Sequence, residues 1–147
     1  MADRDWKPDF QTTGALLKQV DDALSREANN SMRAIDMTLS QARLMDLVEH
    51  APGGSISLKE LEQLSHASQA TIAGTVSRLE KKGFLESSSD PEDRRTKLTR
   101  LTKKGREEMY AIHCYIKQCE RRVFRPLSDS EEHELHVLLK KVRDGMR

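Results

Sequence analysis

The chain has 147 residues, of which 36% are hydrophobic, 33% charged and 4% aromatic, and its formal net charge is +1. Such a length and composition suit one helix-rich domain, or a compact unit completed by a second copy, because a lone core of this size is modest. They exclude a membrane-spanning protein, since no apolar run approaches the roughly 20 residues a bilayer requires, and the opening residues lack the basic and apolar regions of a secretory leader.

Residues 1–11 carry no periodicity and are expected to form a flexible arm. From Thr12 to about Ile35, Leu17, Val20, Leu24 and Ala28 recur every three to four residues, which predicts a helix. Thr38 followed by Gln41 is a capping box that opens a second helix, with Leu44, Leu47 and Val48 on its inner side. Pro52, Gly53 and Gly54 stop that helix. A second box, Ser57 with Glu60, starts a short helix carrying Leu58, Leu61 and Leu64. A three-residue turn follows, and then Ser68 caps a helix reaching Lys82, with Gly83 at the position that favours a left-handed residue.

Residues 84–87 and 96–101 read as two short strands around a polar turn containing Asp90 and Pro91, a hairpin. Thr102 caps the next helix, in which Met109, Ile112, Ile116, Cys119 and Val123 repeat as a heptad seam. Pro126 ends it. Ser128 and Glu131 cap the last helix, whose apolar stripe is Leu135, Leu138, Leu139, Val142 and Met146.

Charge is unevenly spread along the chain. Residues 77–106 hold ten Lys/Arg against five Asp/Glu, a local +5, which leaves −4 for the remainder. A basic segment on an otherwise acidic protein points to a polyanionic partner. Short helix, three-residue turn and second helix make a helix-turn-helix. On the second helix Ile72, Val76 and Leu79 share the inward face, while Ala70, Gly74, Ser77, Arg78 and Lys81 share the outward one, with Thr71 at its edge. That outer face is slim at its start and cationic at its end, a shape suited to the major groove of double-stranded DNA. Gln69 and Thr71 are placed for base edges, with the capping Ser68 beside them in the DNA-binding set; Arg78, Lys81 and Lys82 are long enough for phosphates. The hairpin tip offers Arg94 and Arg95, with Lys97 behind them, to the minor groove, and Asp93 is expected to brace an arginine fork.

The stretch VSRLEKKGFLESSSDPEDRRTKLTRLTKKG resembles the winged helix-turn-helix of the MarR (multiple antibiotic resistance regulator) family. The pattern Leu-Glu-Lys-Lys-Gly at 79–83, Asp93 with Arg95, and Leu-Thr-x-x-Gly at 101–105 carries the match. MTLSQARLMDLVEH and LSDSEEHELHVLLKKV resemble the flanking helices of that family. The resemblance implies a mainly α (α+β) fold, with a winged DNA-binding domain at 36–102 bearing a small β-hairpin wing. It implies an obligate homodimer, with Arg95 as the minor-groove arginine. It also implies a transcription factor, usually a repressor, relieved by small amphipathic or phenolic ligands or by oxidation.

A helical dimerisation region is expected at 12–35 and 103–147. Leu17, Val20, Met109, Ile112, Ile116, Cys119, Val123, Leu135, Leu138, Leu139 and Val142 are its candidate interface, because these stripes exceed what one small domain covers internally. A two-fold dimer requires a pseudo-palindromic operator.

Nothing in the sequence names the effector, and the lining of its site is unassigned. Cys114 and Cys119 form no disulfide framework, which fits a reducing cytoplasm. No Lys or Arg adjoins Cys114 in sequence to activate it as a redox sensor. Among the five histidines, His133 and His136 share a helical face near Glu132, but such surface pairs are common, so no metal ligand and no cofactor is expected. The motifs of hydrolases and phosphate-binding loops are absent, and His113 and Cys114 point apart on their helix, so an enzyme is not expected. The alternatives are a redox- or metal-responsive regulator of the same fold, and a helical adaptor that binds protein only.

Overall fold

The computed structural model describes residues 12–146. The arm expected at 1–11 lies outside the described residues. The chain divides into two compact units, one reaching up to Glu27 and resuming at Lys117, the other Ala28–Ile116.

The second unit holds the helix-turn-helix and the wing. Helix α1 (Thr13–Met32) runs into it and ends in a 3-10 turn, Arg33–Ile35, one turn short of the helix expected from periodicity. Asp36 there adopts a left-handed conformation, φ 50°, which a short polar side chain tolerates. Helix α2 (Leu39–Glu49) begins at a complete capping box: Gln41 donates its main-chain N–H to the Thr38 hydroxyl and its amide oxygen accepts from Thr38 N–H. The Ser57 and Glu60 box starts α3 (Leu58–Ser65) in the same way. Ser68 caps α4 (Gln69–Lys81). Each such cap is worth about 1 kcal/mol.

Three antiparallel strands complete this unit: β1 (Ile56–Ser57), β2 (Leu85–Ser89) and β3 (Lys97–Leu101), with β3 in the centre. The register pairs Leu85 with Leu101, Glu86 with Arg100, Ser87 with Thr99 and Ile56 with Thr99. Leu85, Leu101 and Thr99 are buried, so one face of the wing's base closes onto the helices while the outer half of the hairpin stays polar. Residue pair 56–57 was not expected as a strand, because two residues give no alternation to read.

The motif residues of the hairpin's base are explained by packing. Gly83 takes φ 79° and lets Phe84 N–H reach back to Leu79 O at 3.0 Å, ending α4. Thr102 N–H bonds Phe84 O at 3.0 Å, its hydroxyl donates to Gly83 O at 2.6 Å, and the same hydroxyl accepts from Gly105 N at 3.0 Å. A Cβ on Gly105 would stand 2.1 Å from Phe84 O, so only glycine lets α5 (Lys103–Val123) start this close to the strand.

In the first unit, the early part of α1 and the later part of α5 carry an ion pair between Glu27 and Arg122, both partly exposed. Helix α6 (Asp129–Asp144) opens with the Ser128 and Glu131 box and ends in Lys141 and Arg143, favourable signs for its dipole. Among the described residues no helix is long and apolar enough to cross a membrane.

Candidate nucleic-acid interface

Helix α4 buries Ile72, Thr75, Val76 and Leu79. Thr75 satisfies its buried hydroxyl by donating to Thr71 O at 2.9 Å. Its exposed side presents Ser68, Gln69, Ala70, Thr71, Ser77, Arg78 and Lys81, together with Ala73, which the periodicity did not single out. Gly74 has open space where a Cβ would sit, the nearest atom being an Arg78 guanidinium nitrogen at 4.0 Å. The first two turns therefore offer small side chains and hydroxyls, and the last turn offers two cations. The Ser68 and Thr71 hydroxyls lie 2.9 Å apart, so the N-terminal donors and acceptors are held in one arrangement.

The wing tip is built by its acids. Asp90 N–H bonds Thr96 O at 2.8 Å and Thr96 N–H bonds Asp93 O at 2.9 Å, closing the turn. Asp90 Oδ1 accepts from Glu92 N at 2.9 Å. Asp93 was expected to brace an arginine fork, and it does not. Its carboxylate accepts from Arg95 main-chain N–H at 3.1 Å and from the Thr96 hydroxyl at 3.0 Å, because local main-chain donors lie closer than the long guanidinium. The effect is to fix the tip's backbone. Arg94, Arg95 and Lys97 are exposed, and among the described residues no ion pair or hydrogen bond involves their side-chain nitrogens. Arg100 is neutralised by Glu86 at 2.7 Å across the sheet.

Lys82 was expected to contact phosphate. Instead its ammonium donates to Asp36 O, pairs with Asp36 Oδ2 at 3.3 Å and lies 3.4 Å from Gln41 Oε1, leaving its side chain 25% exposed. It ties the end of α4 to the start of α2. Lys104 is similarly occupied, bonding Lys82 O at 2.9 Å with its ammonium 5.1 Å above the Phe84 ring. On the exposed face of α4 and the wing tip, the described cations without an ion pair are Arg78 and Lys81 on the helix and Arg94, Arg95 and Lys97 on the hairpin.

A second correction concerns the heptad seam. Met109, Ile112 and Cys119 were expected at a dimer interface, yet all three are at most 2% exposed within the single chain. The stripe was real, but a stripe shows which face is buried and not what buries it. Ile116 and Val123 are half-buried. Leu17, Val20, Leu138, Leu139 and Val142 are exposed, Leu135 is half-buried, and Leu16, Val137 and Met146 join the exposed set.

Comparison with known proteins decides the family. The model of the MarR family matches residues 37–97, which span α2 to the start of β3. An HTH-type transcriptional regulator of Bacillus subtilis, YdcH, is 29% identical over 113 residues, covering 76% of this chain and 77% of that protein. The HTH-type transcriptional repressor NicR of Pseudomonas putida is 30% identical over 113 residues, covering 77% and 72%. A crystal structure of a mutant E. coli MarR complexed with operator DNA matches with TM-score 0.78 and 25% identity, over 88% of this chain and 91% of that one.

The chain belongs to the MarR family.

MarR-family proteins are DNA-binding transcriptional regulators and not enzymes, so the exposed face of α4 and the wing have a defined context. Within this MarR-family chain a cavity of about 600 Å³ opens beside α4, lined by Leu44, Leu47, Thr71, Ile72, Met109 and Ile116 among others. Its wall is largely apolar, with Asp46 and His113 as the titratable groups facing it beside Arg43. Of the cysteines, Cys114 is exposed and Cys119 buried. Asp46, Glu49 and His50 gather at the end of α2, and His113 of α5 reaches Asp46 at 3.4 Å, an approach that no sequence spacing suggested because His113 stands 67 residues from Asp46. His50 is pushed above its ordinary pKa, first by a bond to Asp46 main-chain oxygen and then by the Asp46 charge.

Proposed function

We infer that this MarR-family regulator acts as a cytoplasmic homodimer that binds a pseudo-palindromic operator in double-stranded DNA, represses transcription there, and is released by a small amphipathic effector. The observation that carries the DNA reading is the pairing of a slim, hydroxyl-bearing α4 face with a wing tip whose backbone is pinned by Asp93 while Arg95 is left unpaired. An α4 without bulky outward side chains over its first two turns enters a major groove about 12 Å wide. The tip arginines then meet the narrow, negative minor groove alongside. Specificity comes from Gln69, Thr71 and Ser77 at base edges and from groove shape at Arg95. Arg78, Lys81 and Lys97 supply the phosphate contacts and the salt dependence.

The dimer reading rests on exposed apolar side chains in the unit built from the chain's two ends. The effector reading rests on the apolar cavity, because Thr71, Ile72 and Thr75 both line it and belong to α4. A ligand seated there alters the helix that reads DNA. NicR is named a repressor, which supports the same direction of control here.

Selection of bound fragments from genomic DNA, followed by gel shifts on the enriched site, tests the reading. Wild type should retard the site in a strongly salt-dependent way, and Gly74→Leu should abolish the shift with helix content unchanged. Failure to enrich any sequence over bulk DNA, or full binding by Gly74→Leu, would sink it.

A further inference from the structure

Asp46 and Glu49 in the last turn of α2 and His50 at its C-cap stand at i, i+3 and i+4, so they lie on one side of the helix end. One donor atom from each lies within 4.8 Å of the other two. His113 arrives from α5 onto the same carboxylates, its Nε2 3.4 Å from Asp46 Oδ1 and 3.7 Å from Glu49 Oε2. His50 Nδ1 lies 3.5 Å from that same Asp46 oxygen. We propose that Asp46, Glu49, His50 and His113 form a binding site for one divalent transition-metal ion of the zinc class, joining α2 to α5.

The spacing and the donor types both favour this ion. Zinc bonds of about 2.0–2.2 Å to nitrogen and oxygen, at tetrahedral angles, hold neighbouring donor atoms roughly 3.3–3.6 Å apart. Three of the six donor separations, 3.4, 3.5 and 3.7 Å, fall close to that edge length, while His113 stands outside the trio whose donors lie within 4.8 Å of one another and has to close toward His50 on binding. Two imidazoles with two carboxylates suit zinc and its first-row neighbours, whereas calcium requires six to eight oxygens. The set also solves an electrostatic problem, since Asp46 and Glu49 place two carboxylates within 3.7 Å of one imidazole nitrogen. A dication neutralises both.

Access is open, for the four side chains are between 31% and 70% exposed. His50 Nδ1 also lies 2.9 Å from Asp46 main-chain oxygen, so coordination through that nitrogen replaces this bond. Asp46 and His113 line the cavity beside α4, and the ion therefore forms part of its wall. His133 and His136, the pair that sequence alone marks out, gather no third ligand among the described residues.

The test needs no DNA. Metal-stripped full-length protein is titrated with Zn²⁺ against a chromophoric chelator, and with Co²⁺ while its visible absorption is followed. One ion per chain is expected, with intense tetrahedral Co²⁺ bands. His50→Gln/His113→Gln should weaken binding by at least about tenfold, given that even outer partners of metal ligands change affinity 10–100-fold. Glu49→Gln should weaken it in the same direction, and circular dichroism should match wild type for both. His133→Gln/His136→Gln should bind as wild type does. The site is refuted if no stoichiometric ion binds, if the His50/His113 variant retains full affinity, or if only the His133/His136 variant loses it.

Discussion

The two units of this chain differ in where they keep their apolar side chains. Every buried hydrophobic residue except Cys119 lies in Ala28–Ile116, including Met45, Leu61, Leu79 and Ile112 at essentially zero exposure. The other unit exposes Leu16, Leu17, Val20, Val137, Leu138, Leu139, Val142 and Met146. In the first case helices and sheet cover one another, so the surface proposed to read DNA sits on a core that is buried within one chain. In the second, apolar area remains in water, and exposed apolar patches of this kind mark interaction surfaces. The contrast separates residues that hold a chain together from those proposed to hold two chains together.

The largest effect should come from within the closed core. Ile112→Ala removes a fully buried side chain and is expected to cost about 2–5 kcal/mol in chemical denaturation at fixed chain concentration. Light scattering below the transition should still give the wild-type mass, because Ile112 is not part of the exposed set. A native-condition monomer would restore Ile112 to a seam between chains.

Val142→Asp is the complementary change. It places a charge on an exposed apolar face and should weaken association by about 2 kcal/mol or more, moving the scattering mass from twice 16.8 kDa toward 16.8 kDa. The circular dichroism of the monomer should remain helical, since nothing in Ala28–Ile116 is altered.

How much of this was visible beforehand depended on sequence separation. Capping boxes at Thr38, Ser57 and Ser128 are legible because every partner lies within three residues. The left-handed Gly83 and the polar hairpin tip are legible for the same reason. Lys82 was misread because its partners, Asp36 and Gln41, lie more than 40 residues back, and nothing local shows that a lysine at a helix end is already engaged. Strand β1 is two residues long and pairs with residues 98 and 99, so it leaves no pattern of its own. The slim exposed face of α4, proposed here to read DNA, was legible through its small residues. The four-residue cluster around Asp46 was not, because one member comes from a different helix.

Arg95→Ala should leave denaturation unchanged and weaken operator binding by about 1–3 kcal/mol, with the smaller loss on G·C-rich flanks. Asp93→Ala should mimic part of that loss by loosening the tip, since it removes the anchors of Arg95 N–H and the Thr96 hydroxyl. Fluorescence anisotropy on matched flanking sequences distinguishes the two. Equal binding by Arg95→Ala and wild type would place specificity on α4 alone.

The smallest effect concerns pH. Glu60 is held below the ordinary carboxylate range, first by Ser57 main-chain N–H and then by its hydroxyl. Its contribution is present above its unfolded value of 4.5 and is lost as pH falls through the lower folded value. Ser57→Ala should cost about 1 kcal/mol at neutral pH as a lost cap. The gap from wild type should narrow as pH drops below 4.5, which thermal melts across that range would reveal. A gap that stays constant into acid would detach Glu60 from the cap.

If two chains read one operator with α4 and the wing together, as proposed, hydroxyl-radical footprinting of the selected site will record it. Two symmetric protected half-sites are expected, centred about one helical turn or roughly 34–36 Å apart. Each should carry a flanking minor-groove protection that disappears in Arg95→Ala while the α4 protection persists. A single asymmetric footprint, or flanking protection that survives loss of Arg95, would contradict it.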